Sequence, residues 1–251
     1  MKTFLAALLL AAGLFCPCAH PQQNDATNQF WKQIEKQFEE NKAKAEHGDA
    51  KAQLAVGAWY AGESGLKPNP AEAMKWYRKA AEQGNVHAQF WLACGYHKGE
   101  GVEKDYADAV KWYRKAAEQG LVSAQNKLGE CYVSGIGVEP NSMEAMKWYR
   151  KAAEQDNADA QFWLGLFFAG AVPVLGNEKA IEKDDVESYA WYNLSSKTDP
   201  LGVKARDALE KKMSAASHRC PKADQGITRT NRGKAQERRV NRGPANFARR
   251  V

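Results

Sequence analysis

The sequence has few cysteines and no apolar stretch long enough to cross a membrane. Its 251 residues include five cysteines, too few for a fold of this length that disulfides hold together. The longest apolar run falls within residues 4–16, whereas a transmembrane helix needs about 20 such residues. Hydrophobic residues make up 44% of the chain, enough for a packed core. We therefore expect a soluble, ordered protein without a transmembrane span.

Residues 1–19 are predicted to be a secretory signal peptide. A short cationic start precedes an apolar Ala/Leu core at residues 4–15, and polar residues follow it, which is the layout of a cleaved leader. We therefore expect a periplasmic or secreted protein. A lipid anchor is the less favoured alternative, because neither Cys16 nor Cys18 follows a small residue.

The chain contains an internal repeat. The string KWYRKAAEQ occurs three times without change, starting at Lys75, Lys111 and Lys147, a spacing of 36 residues. A fourth Trp-Tyr pair, at Trp191, follows Trp148 by 43 residues, so the fourth copy carries seven extra residues. Such a period indicates a helical repeat array. We place the array within residues 30–213, with repeats at 48–83, 84–119, 120–155 and 156–198.

Each repeat is predicted to be a hairpin of two helices. A residue that can cap the second helix stands seven positions before its Trp, at Asn69, Asp105, Asn141 and Asp184. Glycines after the second helix and between the two helices fit left-handed turns, at Gly84, Gly120, Gly99, Gly101, Gly135 and Gly137. The third repeat has Asp156 in place of the glycine after its second helix.

One face of the first helix is small or apolar in every repeat, and we expect it to pack. In the second repeat this face holds Ala88, Leu92, Ala93 and Tyr96. A small residue recurs at one position, at Gly57, Ala93, Gly129 and Gly165, and would let the paired helix approach closely. The repeated Trp and Tyr of the second helix are predicted to fill the other half of the core rather than to bind a ligand.

These motifs resemble the Sel-one-like repeat (SLR) family, relatives of the tetratricopeptide repeats. The matching patterns are A-x-AQ-x-x-LG-x-x-Y, G-x-GV and A-x-x-WY-x-KAAEQG, over residues 48 to about 198. The resemblance implies an all-α fold, a right-handed α/α solenoid whose first helices line a concave surface that binds other proteins. Terminal repeats need caps. We assign these to helices over residues 30–46 and about 200–213, the second with Leu201, Ala205, Ala208 and Leu209 on one side.

Positions that vary among the repeats point away from the packing face and form the candidate binding groove. They are His87, Phe90, Cys94, His97, Asn126, Glu130, Phe162 and Leu166. Apolar side chains on an unpacked face favour a groove for a protein or peptide partner. The alternative is that these side chains pack against neighbouring repeats or contact nothing. Neither a cofactor nor a nucleic-acid partner is expected, and the chain is predicted to be a monomer.

The cysteines raise two further possibilities, a metal site and a disulfide. His87, Cys94 and His97 share one face, so a soft-metal site with Glu130 is geometrically possible, although two turns of one helix rarely complete a coordination shell. Cys94 and Cys131 lie 37 residues apart, one residue off the repeat, so their side chains point in different directions and a disulfide is not expected. Both are predicted to be free, buried or half-buried thiols.

The competing function is an envelope hydrolase acting on a β-lactam or peptidoglycan-like substrate. The cysteine-rich branch of the SLR family, which this chain does not join, has been associated with such activity. A Ser-x-x-Lys pattern is present at Ser64–Lys67, but in a loop, and the partner motifs Ser-Asp-Asn and Lys-Thr-Gly are absent. We therefore predict a non-catalytic scaffold.

Residues 217–251 differ in composition from everything before them. They hold ten Lys or Arg against two Asp or Glu, a net charge of +8, and show no helical apolar period. We expect a disordered tail. It is a solvated extension, the product of a reading-frame shift, or a basic binding segment. Because the whole chain carries +6, residues 1–216 carry −2, and the charge gives no argument for nucleic-acid binding by the repeats.

Overall fold

The computed structural model describes residues 21–62, 68–173 and 182–219. Over these residues it contains ten α-helices and no strand, as predicted. The helices are α1 (Pro21–Glu46), α2 (Ala50–Tyr60), α3 (Pro70–Glu82), α4 (Val86–Lys98), α5 (Tyr106–Glu118), α6 (Val122–Ser134), α7 (Ser142–Ala153), α8 (Ala158–Phe168), α9 (Asp185–Ser195) and α10 (Pro200–Arg219).

The chain divides into two compact units at Ala116. The N-terminal unit holds α1 to α4 and most of α5, and in it α2 packs on α1 and α3, and α3 on α4. The C-terminal unit holds α6 to α10, and there each helix packs on the next one in sequence from α6 onwards. Within each unit, helices adjacent in sequence are therefore neighbours in space, as in a repeat array.

The predicted helix caps are confirmed. The side chains of Asn69, Asp105 and Asn141 each accept a hydrogen bond from the backbone N–H three residues on, at 3.2, 2.9 and 2.9 Å. Asp184 accepts from the N–H groups of Val186 and Glu187. These bonds satisfy N–H groups that have no partner within the helix, so the chain fixes where each second helix begins.

The turns also follow the prediction. All six glycines placed in left-handed turns have positive φ, between 67° and 92°. Asp156, which replaces the glycine of the third repeat, adopts φ 61°. Aspartate tolerates this conformation better than most residues, so the third repeat turns at the same place without a glycine.

In the core of each unit, the ring of a tyrosine lies against a glycine. A Cβ built at Gly57 would lie 2.6 Å from the ring of Tyr77, and one at Gly129 would lie 2.8 Å from that of Tyr149. Both distances are shorter than a van der Waals contact between two carbon atoms, so a side chain would fit there only if the ring moved. The small residue in the first helix is therefore what lets the tyrosine of the second helix come close, as predicted.

A buried glutamine in each repeat bonds to the helix that precedes it. The Nε2 groups of these glutamines donate to carbonyl oxygens in the last turn of that helix, where carbonyls lack partners. The pairs are Gln53 to Ala45 (3.0 Å), Gln89 to Ala81 (3.2 Å), Gln125 to Ala117 (3.1 Å) and Gln161 to Ala153 (3.2 Å). Each repeat is thus joined to the previous helix by a bond that recurs every 36 residues.

The two end helices are longer than predicted. Helix α1 begins at Pro21 rather than residue 30, and α10 continues to Arg219 rather than ending near Met213. Leu209 is buried, but Leu201 and Ala208 are exposed, so those two do not belong to the packed side of α10. The predicted tail lies outside the described residues from position 220 onwards, and so does the predicted signal peptide.

Candidate partner-binding faces

The predicted groove residues lie on the first helices of three repeats. His87, Phe90, Cys94 and His97 lie on α4 in the N-terminal unit. Asn126 and Glu130 lie on α6, and Phe162 and Leu166 on α8, in the C-terminal unit. Residues three, four or seven apart share one side of a helix. We call these sets the inner faces of the two units and describe each by itself.

The inner face of the N-terminal unit is an aromatic cluster around Tyr113. The half-buried ring of Phe90 lies 5.8 Å from the Tyr113 ring and 5.5 Å from that of Trp91. The His97 ring lies 6.3 Å from Tyr113 and 5.3 Å from Tyr106. Trp91 and Tyr106 are 41% and 39% exposed, so the cluster reaches solvent at both ends.

Polar groups on the same face are arranged around that tyrosine. The Tyr113 hydroxyl donates a hydrogen bond to Cys94 Sγ over 3.4 Å, and His87 is exposed. No group of three or more His, Cys, Asp and Glu side chains that could hold a metal ion occurs among the described residues. The soft-metal arrangement considered from the sequence is therefore not formed in that part of the chain.

The inner face of α6 is polar. Asn126 is 7% exposed, and its Nδ2 donates to Glu130 Oε1 over 3.3 Å. The other carboxylate oxygen of Glu130 accepts from Lys127 Nζ over 2.7 Å. Asn126, predicted to line an open groove, is thus held beneath a partly exposed ion pair.

The inner face of α8 is apolar. Phe162 and Leu166 are half-buried, and the Phe162 ring lies 5.7 Å from that of Tyr192 in α9. Trp163 stacks on Tyr149 with the ring centroids 5.6 Å apart and the planes 6° apart. Trp91 and Trp163 were not predicted from the sequence, although both follow a phenylalanine at the same position of their repeats.

The two cysteines among the described residues, Cys94 and Cys131, form no disulfide, as predicted. Cys94 is half-buried and Cys131 is buried. Burial raises the pKa of the Cys131 thiol to about 11, and the negative charge of Glu130 adds to this rise while Lys127 opposes it. Burial also raises the pKa of the Tyr149 hydroxyl, with Glu130 contributing. Neither group is an activated nucleophile at neutral pH.

Two other predicted features fall elsewhere. The Ser64–Lys67 pattern lies outside the described residues. In the part of the chain that the structure describes, no helix is both long and apolar enough to span a bilayer.

Solved structures of repeat proteins are similar to this chain. A protective antigen with an SLR fold from uropathogenic Escherichia coli is 38% identical, with a TM-score of 0.60, over 66% of this chain and 34% of that one. A Sel1 repeat protein from Oxalobacter formigenes is 39% identical, with a TM-score of 0.54, over 60% of this chain and 57% of that one. The chain thus spans about a third of the first relative and just over half of the second. Comparison with curated proteins gave no match.

The family comparison agrees with the repeat pattern. A family model of the Sel1 repeat matches residues 50–85, 86–121, 122–157 and 158–197, each two residues later than the start predicted from the sequence. Four consecutive matches cover more than half of the chain, and the chain belongs to the Sel1 repeat family.

Proposed function

We propose that this protein is an exported, non-catalytic scaffold that binds a protein or peptide partner through the inner faces of its repeats. The observation that carries the proposal is the run of four consecutive Sel1 repeats. Sel1 repeat proteins typically bind proteins and are generally non-catalytic. In a repeat array the framework residues maintain the fold, and the side chains that vary between repeats set what is bound.

The composition of the inner faces supports this proposal. Trp91 is 41% exposed beside the half-buried Phe90 in the N-terminal unit. Phe162 and Leu166 are half-buried in the C-terminal unit. Aromatic side chains that keep part of their surface in water are the usual anchors of protein interfaces. Phe90 and Phe162 each lie against a core tyrosine, and binding is a reason for the part of their apolar surface that stays in water.

The charge of the chain favours a protein over a nucleic acid as partner. The surplus of basic residues is confined to residues 217–251, and the remainder carries a net charge of −2. Nucleic-acid affinity depends on neutralising phosphates with Lys and Arg, and a domain with this balance lacks the necessary excess. We further propose that the protein acts as a monomer.

A crosslinked pull-down from the envelope of the exporting cell tests the proposal. The bait is the full chain, compared with the double variant Phe90→Ala/Phe162→Ala. A matched control carries Glu82→Ala and Glu118→Ala, at two exposed positions of the second helices. We expect the wild type and the control to capture the same partner, and the inner-face variant to lose most of it while its melting temperature stays within a few degrees.

Two results would contradict the proposal. Equal capture by all three baits would show that the inner faces do not bind the partner. A collapse of the melting temperature in the inner-face variant would assign Phe90 and Phe162 to the core, as the alternative to a binding groove predicts.

Export and the hydrolase alternative are tested separately. Mass spectrometry of the protein recovered from the periplasm or medium should show a chain that has lost about 19 residues. Purified protein should not turn over nitrocefin. Turnover that disappears on Ser64→Ala would replace the scaffold proposal with the envelope hydrolase.

A further inference from the structure

The repeated tyrosine of the second helix has a hydrogen-bond partner in two repeats and, among the described residues, lacks one in the third repeat. The Tyr113 hydroxyl donates to Cys94 Sγ, and the Tyr192 hydroxyl is bonded to the Ser188 side chain. The Tyr149 side chain is fully buried, and its hydroxyl has no hydrogen-bond partner among the described residues. Buried hydroxyls are usually paired, and an exception calls for an explanation.

The third repeat contains a second unpaired atom, which belongs to Asn126. Its Oδ1 is buried and finds no donor in the described part of the chain. The orientation of the amide is fixed by chemistry, because an ionised carboxylate only accepts hydrogen bonds. The Nδ2 group must therefore face Glu130 Oε1, 3.3 Å away, and Oδ1 must point elsewhere. Asn126 is 7% exposed, so water at the surface does not satisfy this atom.

Both unpaired atoms lie around the same turn of α6. Glu130, one turn after Asn126, is bonded to its amide, and the Glu130 charge also acts on the Tyr149 hydroxyl. The neighbouring Gly129 lies against the Tyr149 ring. The combination is specific to the third repeat, because the positions of Asn126 and Glu130 hold Phe90 and Cys94 in the second repeat and Phe162 and Leu166 in the fourth.

The two atoms require complementary partners. Oδ1 of Asn126 needs a donor, and the Tyr149 hydroxyl, which stays protonated, can donate to an acceptor. One residue of an extended peptide presents its N–H and its C=O along the same edge, as it does towards a neighbouring strand. We propose that Asn126 and Tyr149 form a subsite that holds the main-chain N–H and C=O of one residue in an extended segment of a protein partner.

This subsite rests on the proposed protein-binding function and specifies it. Glu130, which accepts from the Asn126 amide, is 36% exposed, and its ion-pair partner Lys127 is 44% exposed. An exposed ion pair of this kind is weak, and changes of side-chain rotamer are common when partners bind. An incoming peptide therefore reaches the subsite by displacing that pair. Trp163, stacked on Tyr149, supplies an aromatic surface beside it.

The first test measures stability without any partner. Tyr149→Phe in the full chain removes a hydroxyl that makes no bond, so we expect the melting temperature to stay within about 1 °C of wild type or to rise. The matched control is Tyr192→Phe, which removes a hydroxyl bonded to Ser188 and should lower the melting temperature. A drop for Tyr149→Phe as large as that for Tyr192→Phe would show that the hydroxyl is already paired, for instance with a bound water, and would overturn the subsite.

The second test uses peptides as probes. A phage-displayed library of random dodecapeptides is panned on the immobilised full chain, and the selected peptides are compared on Asn126→Leu and Tyr149→Phe. We expect clones whose affinity falls about fivefold or more on either variant, the value of one hydrogen bond. A synthetic copy of such a peptide, N-methylated at each position in turn, should lose affinity at one position on wild type and lose nothing further there on Asn126→Leu.

The outcomes separate the subsite from the wider function. Peptides that bind the wild type and both variants equally, or that show no sensitive N-methyl position, would overturn the subsite and leave protein binding in place. Failure to select any peptide, together with failure of the envelope pull-down, would overturn the proposed function and the subsite together.

Discussion

The second and third repeats share a framework and differ in what they place against it. Both carry the string KWYRKAAEQ in the second helix, with Tyr113 and Tyr149 at the same position. In the second repeat Phe90 lies beside the tyrosine ring and a thiol accepts from its hydroxyl. In the third repeat, Asn126 and Glu130 occupy the equivalent positions, and the hydroxyl is buried without a partner among the described residues.

The packed residues of the two repeats are equally buried despite this difference. Leu92 and Leu128 are both fully buried, and so are Ala88 and Ala124. A change from apolar to polar at two positions therefore alters the chemistry of the inner face and leaves the packing intact. The packed residues and the variable residues of the first helix are therefore different residues, and the variable ones can change without altering the packing.

The largest predicted effect tests whether the two frameworks are equivalent. Leu92→Ala and Leu128→Ala should each lower the free energy of unfolding by about 2–5 kcal/mol, because each empties a buried site. Chemical denaturation measures both. Leu201→Ala is the control: Leu201 is 55% exposed and should cost less than about 0.5 kcal/mol. Unequal losses at positions 92 and 128 would show that the inner-face residues also affect the core.

A smaller effect is expected where the repeats differ by one methyl group. The second repeat has Ala93 where the third has Gly129, whose built Cβ would lie 2.8 Å from the Tyr149 ring. Gly129→Ala should gain about 1 kcal/mol of helix propensity and lose about 1–3 kcal/mol to overpacking, a net destabilisation of about 1 kcal/mol. A net gain in denaturation experiments would mean that the tyrosine moves aside freely.

The caps of the two first helices should differ by about 1 kcal/mol. Asn85 accepts from the Ala88 N–H over 3.0 Å, whereas Leu121 has the same backbone conformation and no side-chain cap bond. Asn85→Ala should cost about 1 kcal/mol, and Leu121→Asn should gain about 0.5 kcal/mol. Thermal unfolding distinguishes these signs. A loss for Leu121→Asn would show that the buried part of the leucine outweighs a cap.

The last predicted effect appears only in alkali. The pKa of Cys131 is raised from 9.0 to about 11, so between these values the unfolded chain releases a proton that the folded chain keeps. The free energy of unfolding should therefore fall as the pH rises from 9 to 11. Cys131→Ala should make this slope less steep, and the difference between the two proteins isolates the thiol because the tyrosines are common to both. An unchanged slope would show that the thiol is accessible to water.

Much of the fold follows from the sequence. The caps at Asn69 and Asn141 and the left-handed glycines were predictable because one residue type satisfies each local requirement. The resemblance to the SLR family and the all-α repeat fold are confirmed. The ends of α1 and α10 were not predictable, because neither end helix carries a strong stop signal where it was expected to begin or finish. Leu201 proved exposed because it lies in the first turn of α10.

The spacing of the residues predicted which positions form the inner faces, but not what their side chains contact. Spacing places Asn126 on the same side of α6 as Glu130, but the burial of its amide depends on tertiary packing. The buried glutamines that bond to the preceding helix, such as Gln161 to Ala153, were not predicted. The signal was present, because a polar residue that recurs on an otherwise apolar face needs a recurring buried partner. The predicted groove as a binding site stays a prediction.

Site-specific photocrosslinking tests directly whether the inner faces bind a partner. A photoreactive phenylalanine analogue is placed at Phe162 on the inner face of α8 or, in the matched control, at the exposed Glu118, and the full chain is irradiated in the envelope of the exporting cell. We expect position 162 to give a discrete crosslink to a partner and position 118 to give none above background. Equal crosslinking from both positions, or none from position 162 while the partner is captured from position 118, would contradict this expectation.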